Sequence, residues 1–413
     1  MMIDTTKNYW LYVEPHVYCC IKNGQALLYN THTGIIMETG AMENITLLQS
    51  LHEKKNLGTI YCTGKQLIKE PFQSFVVEFC KKGMGNIVDV MPLPEKPVQL
   101  MPILNLQRDM NRLQKEGERF RGEEILHYLH GVNIYLNSGC QRYCPFCSDY
   151  FRQSLCCRAA YNDHPKSMEI FAFKNILHQI RYGAVGRINL LGGNITEYPY
   201  YNELPDLLTD FKAHVHIWNH YTNFETYQPI FPGFHYDIPV TFPVNKKAWS
   251  HCLKLFKDTQ VKYHFHITNT EEYEETETLI EKNEINDYAI HPIYTKTNLH
   301  FFEEFVYVNH EDILQSKLSF REIFAHQKLN TYFFGSFTIL PDGDVYANIN
   351  SSVIGNINTD VLLDMINKEM IINTAWRKIR TMKPCSDCLF QYLCPSPSNY
   401  ELVTGRYNLC HVQ

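Results

Sequence analysis

A chain of 413 residues, 45% hydrophobic and 20% charged, has an ordinary globular balance and room for two or three domains. Its formal charge of −6 excludes a general attraction to nucleic acid or to anionic membrane, and no apolar run approaches the roughly 20 residues needed to span a bilayer. No basic segment precedes an apolar stretch at the start, so no signal peptide is expected and the location expected is cytoplasmic.

Residues 1–95 read as a small α/β unit. Strands are expected at 17–21 and 26–30 around the turn Asn23-Gly24, a hairpin signal, and a third at 35–38. Helices are expected at 45–51 and 73–81, where Phe72, Phe75, Val76, Phe79 and Cys80 recur at helical spacing. Strands followed by short helices fit a winged-helix shape. Residues 1–100 carry nine lysines, nine acidic residues and no arginine, which argues against a DNA-binding winged helix. The proline-rich stretch from Met91 to Pro97 marks a boundary. A helical connector covers 96–130, its charged part over 105–129.

From 131 to 310 strands and helices alternate. Strands are predicted at 132–136, 187–191, 214–218, 236–241, 261–267 and 287–294, and helices at 167–181, 201–212, 248–257 and 271–282. This βα repetition predicts a parallel sheet with right-handed crossovers, whose functional groups gather at the carboxyl ends of the strands. Residues 311–413 break the alternation. A hairpin is predicted at 336–340 and 344–347 around Pro341-Asp342-Gly343, then a helix at 362–380 and a cysteine-bearing loop region.

The chain has 14 cysteines, which in a reducing compartment read as metal ligands or catalytic thiols rather than disulfides. Cys140, Cys144 and Cys147 form C-x3-C-x2-C just after the first strand of the alternating region. Three thiolates can hold three irons of a cubane and leave the fourth open to an amine and a carboxylate of a small molecule. Zinc is the rival, but structural zinc sites take four ligands and no fourth is near. Cys385, Cys388, Cys394 and Cys410 form a four-thiolate set that spacing alone leaves open between a zinc ribbon and an iron–sulfur cluster. Cys19, Cys20, Cys62, Cys80, Cys156, Cys157 and Cys252 read as buried structural thiols. His214 and His216 share one strand face, as do His264 and His266; they read as polar-face histidines, with metal ligation as the rival.

On these motifs the chain resembles the radical S-adenosylmethionine (SAM) proteins with a SPASM domain, a group that includes anaerobic sulfatase-maturing enzymes and many maturases of ribosomally made peptides. The resemblance implies an α/β fold: a partial (β/α)6 TIM-like barrel at 131–310, a PqqD-type leader-recognition unit at 1–95 and a SPASM-like domain at 311–413. It implies a SAM-binding [4Fe–4S] cluster on Cys140, Cys144 and Cys147, with Phe146 matching the family's aromatic position. It implies SAM contacts from Gly192, Gly193 and Asn194, where glycines let the backbone approach a ligand closely. The family has an acidic residue at Asn194, meeting the SAM amino group; an amide there is expected to weaken SAM binding about tenfold, since a charge-assisted hydrogen bond contributes about 1.5–3 kcal/mol and a neutral one about 1. Val240-Thr241-Phe242-Pro243 also departs from the family's Ser-x-Asp-Gly.

In the C-terminal region the resemblance implies a second [4Fe–4S] cluster on Cys385, Cys388, Cys394 and Cys410. The ligands of another auxiliary cluster are replaced: Asn348 and Ser398 stand at two positions, and no cysteine lies between 327 and 333. Residues 26–34 are the closest local match to the leader-recognition element, which binds a leader as an added strand; a purely structural cap is the rival. Two functional readings follow. One is an enzyme that binds a precursor leader and modifies the core peptide by radical chemistry, served by an electron donor. The other is a non-catalytic pseudo-radical-SAM partner of the precursor or of a second maturase. Neither expects nucleic acid or membrane as partner.

Overall fold

The structure is a computed structural model that describes residues 3–91, 94–99, 125–139, 147–156, 166–224 and 229–412. Of the helical connector expected over 96–130, residues 100–124 lie outside the described residues.

The N-terminal unit runs β1 (Asn8–Val13), β2 (Val17–Lys22), β3 (Gln25–Asn30), β4 (Ile36–Thr39), α1 (Met42–His52), β5 (Thr59–Thr63), α2 (Gly64–Leu67), α3 (Phe72–Lys81) and β6 (Gly85–Asp89). It holds two antiparallel sheets, β2-β3-β4 and β5-β1-β6. The β2–β3 turn places Asn23 and Gly24 at φ 49° and 72°, the left-handed pair a two-residue hairpin turn needs. The sequence reading finds β2, β3 and β4 but not β1. Tyr9, Leu11 and Val13 of β1 point inward, while Trp10 and Tyr12 on its outer side hide the alternation. Val17, Ala26, Leu28 and Met37 face Ile45, Leu48 and Leu51 of α1 and Phe75, Val76 and Phe79 of α3, each full burial contributing about 1.5–3 kcal/mol. Tyr18, Cys20, Leu27 and Tyr29 face the opposite way, into a core shared with Ile313, Ile323, Leu389, Phe390 and Leu393.

The main sheet contains β7 (Gly131–Tyr135), β8 (Arg187–Leu191), β9 (His214–Trp218), β10 (His235–Thr241), β11 (Val261–Ile267) and β12 (Tyr288–Pro292). They lie side by side in chain order, all parallel. Between them fall α4 (Cys147–Gln153), α5 (Ile170–Ile180), α6 (Leu204–Leu208), α7 (Lys246–Leu255) and α8 (Thr270–Lys282). Asn245 caps α7 and Asn269 caps α8 by accepting from the first free backbone N–H groups. Val132, Ile134, Ile188, Leu190, Val215, Ile217, Ile238, Val240 and Phe265 pack one face of the sheet into a core with Phe173, Ile176 and Trp249. Alternation turns Asn133, Asn189, His216, Asp237, His264, His266 and His291 to the other face.

The chain continues through α9 (Leu299–Val306), α10 (His310–Gln315), α11 (Phe320–Lys328), β13 (Ser336–Ile339), β14 (Asp344–Tyr346), β15 (Gly355–Asn356), α12 (Leu362–Ile372) and α13 (Asn399–Thr404). The expected hairpin forms, and β13 pairs in parallel with β7, so β13-β14-β15 extend the main sheet. The helix expected over 362–380 stops at Ile372. Asn373 turns left-handed at φ 60°, and the buried Glu369 carboxylate accepts from the backbone N–H groups of Thr374, Ala375 and Trp376 at 2.8–3.0 Å. Among the described residues no helix is long and apolar enough to cross a membrane.

Candidate cofactor-binding sites

The three-cysteine loop follows β7. Cys140, Cys144 and Phe146 lie outside the described residues, and Cys147 opens α4. The chain entering the loop is described. Gly139 O accepts from Asn194 N at 3.2 Å, and Asn137 Nδ2 donates to Asn194 O at 3.0 Å. The Gly192-Gly193-Asn194 turn is therefore stitched to the start of the cysteine loop, at the carboxyl end of the sheet. Gly192 has φ 136°, and a Cβ there would sit 2.5 Å from Asn137 O. The backbone of Asn137 approaches Gly192 too closely for any side chain.

Asn194 is half-buried and its amide is occupied. It donates to Glu197 Oε1 at 2.9 Å and accepts from Thr196 Oγ1 at 2.7 Å. Nearby, His220 Nε2 meets Thr241 Oγ1 at 3.0 Å, so the atypical residue that ends β10 is held by a histidine after β9. Asn137 Oδ1 and His266 Nδ1 are buried without a hydrogen-bond partner among the described residues. Two unsatisfied polar atoms at this end fit a polar ligand.

Cys385 is buried, and Cys388, Cys394 and Cys410 are half-buried. Three receive N–H donors at sulfur: Phe390 N to Cys388 Sγ at 3.4 Å, Arg380 to Cys385 Sγ at 3.9 Å, and Asn408 Nδ2 to Cys410 Sγ at 3.7 Å. Burial pushes the Cys394 thiol up to about 12; Arg380 opposes this, and the other three cysteines add to it. Thiols that raise one another in this way ionise together only when a metal takes up the charge. Among the described residues no three His, Cys, Asp or Glu are gathered for a single metal ion. Four thiols on one loop region, three of them met by N–H donors, have the donor chemistry of a thiolate-ligated cluster. Asn348 and Ser398 have other work: Asn348 Nδ2 donates to Asn399 Oδ1 at 2.8 Å, and Ser398 caps α13 in a capping box with Glu401. With Asn330 they line one cavity of about 630 Å³.

Sequence reasoning missed a buried charge on the polar face of the sheet. Asp237, 1% exposed, accepts from His216 Nδ1 at 2.6 Å and from His264 Nε2 at 2.7 Å, with Arg187 3.6 Å away. His264 Nδ1 lies 3.0 Å from His291 Nε2. Burial alone would raise the Asp237 carboxyl, but the bonds from His216 and His264 hold it well below the usual carboxylate range. Burial and His264 lower His291 to about 3. The legible signal was the repetition of polar residues at alternate positions of β9, β10 and β11, which places them on one face only when the register is known.

Residues 331–389 match the SPASM family, an iron–sulfur cluster-binding domain. The whole chain is similar to Streptococcus suis SuiB bound to precursor peptide SuiA, at 13% identity and TM-score 0.50, covering 97% of this chain and 100% of that one. SuiB bound to S-adenosylmethionine aligns at 14% identity and TM-score 0.49, over 96% of this chain and 97% of that one. Among curated proteins no relative matches. Fold and matched segment define an α/β protein with a SPASM iron–sulfur domain. The likeness to SuiB bound to its precursor is one of fold, and the matched segment is a SPASM iron–sulfur domain.

Proposed function

We propose that this chain is a maturase of ribosomally made peptides. Cys140, Cys144 and Cys147 hold a [4Fe–4S] cluster that binds SAM, and Cys385, Cys388, Cys394 and Cys410 hold a second one. The observation that carries this reading is the four-thiol set, with N–H donors at three of its sulfurs, in and beside a matched SPASM segment. When bound, the first cluster and SAM supply a 5′-deoxyadenosyl radical. The chain's own part is to position: Asn137 Oδ1, His266 Nδ1 and the His220–Thr241 pair offer polar contacts at the carboxyl end of the sheet. The likeness to SuiB bound to its precursor peptide supports a peptide substrate. Residues 1–95 would hold the leader, along the outer edge of β4, which pairs with no strand among the described residues. A cavity of about 580 Å³, lined by Met42, Leu47, Ile60, Tyr61 and Phe72, opens on the same unit.

The test is SAM cleavage. Protein reconstituted with both clusters, given a strong reductant and its precursor peptide, is expected to form 5′-deoxyadenosine and a modified peptide. No 5′-deoxyadenosine from protein shown to carry both clusters overturns the enzyme reading and leaves a non-catalytic partner of the precursor.

A further inference from the structure

The β2–β3 hairpin of the N-terminal unit ends against the C-terminal cysteine loop. Lys22 Nζ donates to Ser386 O at 2.8 Å, to Cys388 O at 3.0 Å and to Gln391 Oε1. All three N–H groups of the ammonium are thus used, and every acceptor is neutral. Asn23 Nδ2 adds a bond to Asp387 O at 3.3 Å, and Lys22 Nζ sits 5.7 Å from the Tyr392 ring centre. Gln391 in turn donates to Arg380 O, and the Arg380 guanidinium reaches Cys385 Sγ at 3.9 Å. The two cations differ. Arg380 is balanced by Glu401 at 2.7 Å, whereas Lys22 is half-buried among carbonyl groups with no carboxylate bonded to it among the described residues. A half-buried ammonium held by neutral dipoles favours an anion next to it. A cubane on four thiolates is such an anion, and nearby cations and hydrogen bonds raise its reduction potential.

We infer that Lys22, in the N-terminal unit, is a positioning residue of the C-terminal cluster: it clamps the loop carrying Cys385, Cys388 and Cys394 and raises the cluster's potential. This rests on the reading of the four cysteines as a cluster site.

The test uses the full chain with Cys140, Cys144 and Cys147 replaced by alanine, so that only the C-terminal cluster is read. Lys22→Gln is expected to move the midpoint of a spectroscopic redox titration to lower potential, and to release iron to a chelator several-fold faster. Lys22→Arg is expected to leave both near the parent values. A cluster whose midpoint and iron release ignore Lys22→Gln overturns the inference. If Lys22→Gln does not fold, Gln391→Glu neutralises the ammonium in place, and an unmoved midpoint there overturns it equally. Zinc in place of iron at these cysteines would instead sink the cluster reading beneath it.

Discussion

Asn194 meets Glu197 through its amide N–H, so the position the family gives to a carboxylate already has a carboxylate beside it. Replacing Asn194 by Glu alone would set a second carboxylate beside Glu197, and each would raise the other's pKa. Asn194→Glu is therefore expected to give little gain in SAM binding. Asn194→Glu with Glu197→Gln is expected to lower the SAM concentration needed for half-maximal 5′-deoxyadenosine formation about tenfold, the ratio between charge-assisted and neutral bonds. Equal behaviour of the single and double variants would show that Glu197 does not matter. Gly192 makes a second residue-scale case. Alanine there combines φ 136° with a Cβ 2.5 Å from Asn137 O, a strain of about 1–3 kcal/mol. The strain falls on the chain that leads into Cys140, so Gly192→Ala is expected to lose iron from the three-cysteine site while the C-terminal site keeps its own. The two glycines were legible in the sequence; Glu197 was not, because nothing in a sequence tells which way an amide turns.

The parallel strands of the main sheet were legible because apolar residues recur at every second position and helices intervene. What lies on their other face was not, since the Asp237 network depends on how β9, β10, β11 and β12 align. β1 escaped because aromatic side chains covered its outer side, and α12 was overdrawn because a buried Glu369 ends it without glycine or proline. The Asp237 network carries a pH dependence. His291 is held neutral to about 3, whereas an unfolded imidazole takes a proton near 6.5. The unfolded chain then binds more protons, so this contribution is present above about 6.5 and falls away as pH drops from there toward 3. Asp237 acts the same way at lower pH: its depressed carboxyl stabilises the fold above the ordinary carboxylate range, and the contribution is lost below it. Urea unfolding should show stability falling between pH 7 and 5, with a flatter slope for His291→Gln. Asp237→Ala leaves the bonded N–H groups of His216 and His264 without their acceptor, at about 1–3 kcal/mol each, and a loss well under 1 kcal/mol at pH 7 would show that the network rearranges freely.

The sheet β2-β3-β4 is buried on both sides, by its own helices on one and by the C-terminal region on the other. Leu11, Leu28, Leu48, Val76 and Phe79 belong to a core built from residues of the N-terminal segment. The second core is shared. Leu389, Phe390 and Leu393 are 9%, 7% and 2% exposed, and Tyr18, Cys20, Leu27 and Tyr29 are among the residues that cover them. These three lie between or beside Cys388 and Cys394, so the surface that would take up solvent without the N-terminal unit is the backing of the cysteine loop itself. A loop that must hold thiolates in a fixed arrangement couples its folding to metal binding, and loosening its backing should cost it the metal. Reconstituted full-length protein is expected to hold roughly eight irons, the content of two cubanes, and the variant with Cys140, Cys144 and Cys147 changed to alanine roughly four. Deleting residues 1–95 is also expected to leave roughly four, but in the other site: a further Cys394→Ala should then remove no more iron, whereas loss of Cys140, Cys144 and Cys147 should remove what remains. Metal analysis of these proteins, with size-exclusion chromatography to confirm a compact chain, decides the matter. A deletion variant that still holds the full iron content would show that the C-terminal site stands without the unit packed against it.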